Sequence, residues 1–116
     1  LSDDGVLQIE GRDGDLIITG GENVWPEIVE DSLRDFPAIT DLCVAGVPDP
    51  EWGHAVHVWL VTPESGQVSL NAIRAHVKQT LPAHCAPQQV HFITEIPRTA
   101  LGKPQRSILV ESLKIS

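Results

Sequence analysis

The stretch Ala55-Val-His-Val-Trp-Leu-Val61 decides the fold, because apolar residues occupy both its odd and its even positions, with His57 as the exception. A strand with one face in solvent alternates apolar and polar residues, whereas a strand covered on both faces does not. The stretch therefore predicts a central strand with other structure packed on each face. Leu42–Val47, which is also rich in β-branched residues, predicts a further strand shortly before it.

Two helices with one apolar stripe each are predicted on either side of these strands in the sequence. Pro26 suits the first turn of the first helix, since its ring fixes φ and no amide donor is needed there, and Pro37 ends it. Ser69 is a suitable cap for the second helix, which Pro82 ends. The stripes have helical spacing and consist of Val29, Leu33 and Phe36 in the first helix and Leu70, Ile73, Val77 and Leu81 in the second.

The remaining segments complete a small domain. Short apolar runs at Val6–Ile9 and Leu16–Ile18 flank a polar turn and predict a hairpin. Val90–Ile93 predicts a third core strand, and Ser107–Leu113 predicts a short terminal helix. The expected fold class is α+β, with a small, mostly antiparallel sheet flanked by helices and preceded by a short two-stranded hairpin.

Length, composition and charge limit the functional classes. The chain has 116 residues, 41% of them hydrophobic, which suffices for one compact domain with a modest core. Its net charge of -8 argues against general nucleic-acid binding, which selects basic surfaces. No apolar run reaches the roughly 20 residues of a membrane-spanning helix, and the start of the sequence lacks a signal-peptide run, which favours a cytoplasmic setting. Cys43 and Cys85 are predicted to be reduced and structural.

The charge is unevenly distributed along the chain and reverses around Lys103. Residues 1–58 hold thirteen acidic against two basic residues, whereas residues 59–116 hold three acidic against six basic residues. Lys103 lies on a short loop bounded by a glycine and a proline, with Arg98 and Arg106 on either side. We expect these three cations to form an end of the domain that faces an anionic ligand. The alternative is that Lys103 is an ordinary solvated lysine.

Residue spacing excludes several catalytic and metal-binding classes. His54 and His57 are three apart in a predicted strand, so they point to opposite faces and cannot converge on one metal ion. Lys103 is followed by proline and lacks the upstream glycine-rich turn of a phosphate-binding loop, so this domain is not expected to cradle nucleotide phosphates alone. No serine nucleophile elbow is present. The sequence therefore predicts no metal site and no hydrolase.

Four motifs, in order, resemble the C-terminal domain of adenylate-forming acyl-CoA synthetases, and together they cover nearly the whole chain. The motifs are Gly11-Arg-Asp-Gly-Asp-Leu-Ile-Ile-Thr-Gly-Gly-Glu-Asn-Val-Trp-Pro-Glu27, Val47-Pro-Asp-Pro-Glu-Trp-Gly53, Leu81-Pro82 and Pro97-Arg-Thr-Ala-Leu-Gly-Lys103. The resemblance implies an enzyme that uses ATP and magnesium to convert a carboxylic acid to an acyl-adenylate and then transfers the acyl group to CoA. It also implies a larger N-terminal domain that holds most of both substrates and is absent from this chain.

The resemblance further implies roles for individual residues. Lys103 matches the lysine that serves the adenylation step. Arg12 matches a nucleotide-binding arginine, and Gly14 occupies the hinge position, where Asp or Lys is usual in the family. The turn Gly20-Gly21-Glu22 and the indole of Trp52 match the face that lines the pantetheine tunnel once the domain has rotated. Structural alternatives are a turn salt bridge of Arg12, a tight turn at the glycines and a packing role for Trp52.

The implied domain organisation is a hairpin and hinge segment at residues 1–15 and a swivelling domain at residues 16–116. Such a chain is either a fragment or a separate subunit, and alone it is expected to be inactive. Ala83–Pro87 lacks the aromatic residue and lysine that the family often has there, so CoA nucleotide contacts from this segment are in doubt. Two other functions remain open, namely a non-catalytic binding or regulatory domain and an adenylation domain that loads a carrier protein. The acyl substrate cannot be read from this domain.

Overall fold

The computed structural model describes residues 16–63 and 68–115, and these residues form an α+β domain as predicted. The elements, in chain order, are β1 (Ile17–Thr19), β2 (Glu22–Val24), α1 (Pro26–Leu33), β3 (Asp41–Asp49), β4 (Gly53–Val61), α2 (Leu70–Lys78), a 3-10 helix (Ala83–Cys85), β5 (Gln89–Phe92) and α3 (Arg106–Ile115).

The main sheet has the strand order β3-β4-β5, so the stretch predicted to be central is central. β4 pairs antiparallel with β3, where Val58 lies opposite Val44, and parallel with β5, where Val58 lies opposite Val90. Leu60 on one face of β4 and Trp59 on the other are both almost fully buried. The two-sided apolar pattern of β4 is therefore explained by cover on both faces.

Two apolar clusters provide this cover. The first lies on the face of the sheet toward α1 and α2, and its helical members are Val29, Leu33, Ile73 and Val77. The second lies on the opposite face toward α3 and consists of Cys43, Ala45, Trp59, Ile96 and Leu109. Because alternate residues of β3 and β4 belong to different clusters, the sheet separates the two helical layers.

β1 and β2 form a two-stranded antiparallel hairpin. Its pairing differs from the predicted one, in which Val6–Ile9 is the partner strand, because Ile17–Thr19 pairs with Glu22–Val24. Ile17 pairs with Val24, and both side chains are buried against the first cluster. Gly20 and Gly21 connect the strands with φ values of 59° and 86°, a left-handed geometry that favours glycine and matches the twist of a two-residue hairpin turn. The other predicted hairpin strand, Val6–Ile9, lies outside the described residues.

The two predicted helices are present but end earlier than the apolar spacing indicates. α1 ends at Leu33 and α2 at Lys78, whereas the stripes extend to Phe36 and Leu81. At each end an amide donates to the carbonyl three residues earlier, which tightens the last turn out of α geometry. Phe36 and Leu81 still pack against the first cluster. In the segments that the structure describes, no helix is long and apolar enough to cross a membrane.

The cysteines are free and buried, as predicted. Burial raises the pKa of the Cys43 thiol to about 12 and also raises the pKa of Cys85. Since the thiolate is the reactive form of cysteine, both side chains are chemically quiet packing groups.

Candidate functional site

Lys103 lies on a closed loop between β5 and α3. Across the base of the loop, Gln105 N–H donates to the Pro97 carbonyl at 2.9 Å, and Arg98 and Pro104 form an isolated antiparallel bridge. Nearer the tip, Thr99 N–H donates to the Lys103 carbonyl at 2.9 Å. The backbone therefore holds the lysine at a defined place while its side chain remains exposed.

Arg98 is held by a carboxylate at the start of β3. Its Nη1 and Nη2 atoms donate to the Asp41 carboxylate at 2.7 and 2.9 Å, the two-point geometry in which arginine binds carboxylates most strongly. These hydrogen bonds keep the pKa of the Asp41 carboxyl below its ordinary value, against an opposing contribution from burial. The Arg98 charge is therefore balanced within the domain.

The charge of Arg106 is also balanced within the domain, and its side chain is buried. Its Nη2 donates to Glu30 Oε2 at 2.7 Å and its Nε donates to the Val44 carbonyl at 2.7 Å. Glu30 Oε2 accepts a further hydrogen bond from Val44 N–H at 2.8 Å. The ion pair thus binds both backbone groups of Val44 at the outer edge of β3 and joins α1, β3 and α3.

These two ion pairs correct the expectation of a shared cationic end. Arg98 is paired with Asp41 at the surface and Arg106 is paired with Glu30 in the interior, so the basic cluster is not a patch of three free cations. Among the described residues, none forms a salt bridge with Lys103. The positive charge of the loop that remains available to a ligand is the Lys103 ammonium.

A second group of predicted residues meets at the opposite end of β3. Gly20 N–H donates to the Trp52 carbonyl at 2.9 Å, which fastens the β1-β2 turn to the β3-β4 turn. A Cβ atom on Gly20 would lie 2.9 Å from Trp52 Cε3, so the indole packs directly on the glycine backbone. Glu22 begins β2 beside this contact and is exposed.

Asp49 positions Trp52, a role that the sequence reasoning missed. Its Oδ1 accepts hydrogen bonds from Glu51 N–H at 2.8 Å and Trp52 N–H at 3.0 Å. The signal was present in Pro-Asp-Pro-Glu-Trp-Gly, since an aspartate before a turn commonly accepts from amides two and three residues on. The indole remains 43% exposed beside an open groove of about 630 Å³. Residues lining the groove include Thr19, Asn71, Arg74, His84 and Gln88.

The two groups are well separated. The Lys103 loop is fastened to Asp41 and Val44, in the first half of β3, whereas Trp52 follows the last residue of that strand. Nine residues of β strand at about 3.3 Å per residue span roughly 26 Å. The two groups are therefore anchored near opposite ends of β3.

A pair of histidines also escaped the sequence reasoning, which considered His54 and His57 together. His57 instead lies beside His91 of the neighbouring strand, with Nδ1 and Nε2 2.9 Å apart. Burial, reinforced by the adjacent His91, lowers the pKa of His57 to about 4, and burial lowers the pKa of His91. The part of the chain that the structure describes contains no group of three or more histidine, cysteine or acidic residues able to hold a metal ion.

Comparison with known proteins identifies the domain. Residues 28–103 match the model of the AMP-binding enzyme C-terminal domain. This chain belongs to that family. It is 37% identical over 103 residues to the sulfoacetate–CoA ligase of Cupriavidus necator. The aligned region covers 89% of this chain and 20% of that enzyme.

Solved structures agree with this assignment. The fatty acyl CoA synthetase of Mycobacterium tuberculosis has a TM-score of 0.80 and 31% identity, over 88% of this chain and 20% of that one. ATP-bound MatB from Rhodopseudomonas palustris has a TM-score of 0.80 and 30% identity, over 90% of this chain and 21% of that one. The chain spans about one fifth of the length of the curated relatives that it matches.

The predicted site residues of this AMP-binding enzyme C-terminal domain fall into three sets. Gly20, Gly21, Glu22 and Trp52 belong to one surface, and Lys103 belongs to another. Arg12 and Gly14 lie outside the described residues, so their nucleotide-binding and hinge roles stay predictions.

Proposed function

We propose that this chain is the C-terminal swivelling domain of an ATP-dependent carboxylic acid–CoA ligase. In this proposal residues 16–116 form the swivelling domain, residues 1–15 contain the hinge, and a larger N-terminal domain of the same enzyme binds ATP and the acid. The observation that supports the proposal best is Lys103, an exposed lysine on a closed loop whose neighbouring arginines are both neutralised. The ATP-bound relative supports the use of ATP.

In the first half-reaction, Lys103 acts on the adenylation step. A carboxylate that attacks the α-phosphate of ATP brings two anionic groups together, and pyrophosphate leaves with additional negative charge. An ammonium group fixed at this point stabilises the charge in the transition state. Since Asp41 and Glu30 hold the two arginines of the loop, the lysine supplies a localised charge rather than a broad cationic surface.

In the second half-reaction, the Gly20-Gly21-Glu22 turn and Trp52 guide the thiol arm of CoA. A glycine backbone backed by an indole provides a smooth, apolar surface that a thin pantetheine chain can follow closely. Because this surface and Lys103 lie at opposite ends of β3, the domain must rotate between the two steps. Gly14 is the proposed hinge, and the isolated domain is inactive because the substrates are held mainly by the N-terminal domain.

The test of this function is acid-dependent exchange of pyrophosphate into ATP by the full-length parent protein. We expect exchange with at least one acid in a panel of short, fatty, aryl and sulfonated carboxylic acids, and CoA-thioester formation with the same acid. If the protein catalyses exchange but transfers the acyl group to a phosphopantetheinyl carrier protein and not to CoA, the acceptor is the carrier protein. A folded parent that shows no exchange with any acid would contradict the proposed function.

Alanine at Gly20 is expected to impair thioester formation more than alanine at Gly21. Both positions have positive φ, so each substitution costs about 1–2 kcal/mol of stability. At Gly20 the new Cβ would also meet the Trp52 ring at 2.9 Å, whereas at Gly21 it would meet nothing within 4 Å. Displacement of the indole should slow acyl transfer by roughly tenfold or more. The measurement is thioester formation from supplied acyl-adenylate, and equal rates for the two variants would argue against a role for the Gly20–Trp52 contact.

A further inference from the structure

Thr99 contacts both the backbone amide and the backbone carbonyl of Lys103. Thr99 N–H donates to the Lys103 carbonyl at 2.9 Å, and Thr99 Oγ1 accepts from Lys103 N–H at 3.3 Å. The same hydroxyl accepts from Leu101 N–H at 3.3 Å, and the Thr99 carbonyl accepts from Gly102 N–H at 2.9 Å. One residue therefore organises the whole tip of the loop.

The tip has little other support. Leu101 is 88% exposed, and a Cβ on Gly102 would meet nothing within 4 Å. The base of the loop, in contrast, is fixed by the Arg98–Asp41 pair and by the Pro97–Gln105 hydrogen bond. Thr99 directly follows Arg98, so it connects the fixed base to Lys103 through its hydroxyl and its amide.

We propose that Thr99 is a positioning residue for the Lys103 ammonium in the adenylation step. This inference rests on the proposed role of Lys103. The Thr99 hydroxyl fixes the direction in which the Lys103 Cα–Cβ bond leaves the loop, because it holds the lysine amide from the opposite strand of the turn. Thr99 itself does not touch the reacting atoms.

The expected effect is on rate rather than on folding. The amides that Thr99 Oγ1 accepts from are in an exposed loop, where water can replace the lost acceptor. A misdirected ammonium, however, no longer lies where charge develops in the transition state, and displacements near 1 Å can cost on the order of a hundredfold in rate. Loss of the hydroxyl should therefore slow adenylation while the thermal midpoint remains close to that of the wild type.

The matched variants are Thr99→Val, which keeps the shape of the side chain but lacks the hydroxyl, and Thr99→Ser, which keeps the hydroxyl. In the full-length parent, Thr99→Val should lower the kcat of pyrophosphate exchange by roughly tenfold or more with little change in the KM for ATP. Thr99→Ser should retain most of the rate. Thioester formation from supplied acyl-adenylate should be unchanged in both. Equal kcat values for Thr99→Val and Thr99→Ser, or equal losses in both half-reactions, would overturn the proposal.

A double variant separates this inference from the function on which it rests. If Thr99 acts through the lysine, Thr99→Val should slow exchange no further when Lys103→Ala is already present, because residues that act as a unit are not additive. An additional, multiplicative loss would overturn the positioning role. If Lys103→Ala alone leaves exchange intact, the proposed function of the lysine fails. If Lys103→Ala lowers exchange by about a hundredfold or more while Thr99→Val does not slow it, only the inference about Thr99 fails.

Discussion

If the proposed function is right, replacement of Lys103 by alanine in the full-length parent protein is expected to lower acyl-adenylate formation by a hundredfold to a thousandfold. Among the described residues no salt bridge engages this ammonium, whereas Arg98 and Arg106 are paired with Asp41 and Glu30. Loss of the charge therefore leaves the attacking carboxylate and the phosphate without this stabilisation. The measurement is acid-dependent pyrophosphate exchange, with saturating ATP and acid.

Two controls make the Lys103 result specific. Lys78→Ala removes another exposed lysine, at the end of α2, and should leave exchange within about twofold of the wild type. The Lys103→Ala enzyme should still form thioester from supplied acyl-adenylate and CoA, because the proposed surface for that step lies at the other end of β3. An equal loss of both half-reactions would contradict a role confined to adenylation.

The largest expected effect on stability comes from Glu30. Glu30→Ala removes the carboxylate that binds the buried Arg106 guanidinium and also removes the acceptor of Val44 N–H. Breaking a buried ion pair on one side typically costs about 3–5 kcal/mol, a large part of the stability of a small domain. The measurement is the free energy of unfolding in urea. The melting temperature should fall by more than about 10 °C.

Neighbouring substitutions identify the cause of this loss. Asp31→Ala removes an exposed carboxylate from the same helix, where it pairs with Arg34, and should change the free energy of unfolding by less than about 1 kcal/mol. The double variant Glu30→Leu with Arg106→Met should be more stable than Glu30→Ala alone, because it replaces both members of the buried ion pair by apolar side chains. If the double variant is as unstable as Glu30→Ala, the cost arises from packing or from Val44 rather than from the charge.

Much of the fold was predictable because its signals are local. The two-sided apolar pattern placed β4 at the centre of the sheet, and Ser69 does cap α2, where its Oγ accepts from Ala72 N–H at 3.1 Å. The helix ends were harder to predict. Phe36 and Leu81 continue the apolar spacing but lie in the segments after the helices. Their side chains reach the core from a turn as well as they would from a helix. Spacing alone does not distinguish the two.

The candidate site was predictable in composition but not in geometry. Lys103 and the glycine turn stand in motifs that are recognisable in the sequence, so their identity needed no structure. The partners of Arg98 and Arg106 are acids far away in the sequence, and local charge counting therefore predicted a cationic patch that does not exist. The His57–His91 contact was missed for the same reason, since β5 lies parallel to β4 across a long connection.

The sequence by itself determined the family, the three strands of the main sheet, the three α-helices and the lysine of the Pro97–Lys103 motif, because these depend on residue type and short-range spacing. Strand β2 was not predicted. Tertiary structure alone decided which charges are neutralised, which turns are fastened together and where the two proposed surfaces lie. Ion pairs such as Arg106–Glu30 form between side chains that only the packing of α1, β3 and α3 brings within hydrogen-bonding distance. The strength of a charge at a ligand site depends on such partners, and they are fixed by three-dimensional proximity rather than by order along the chain.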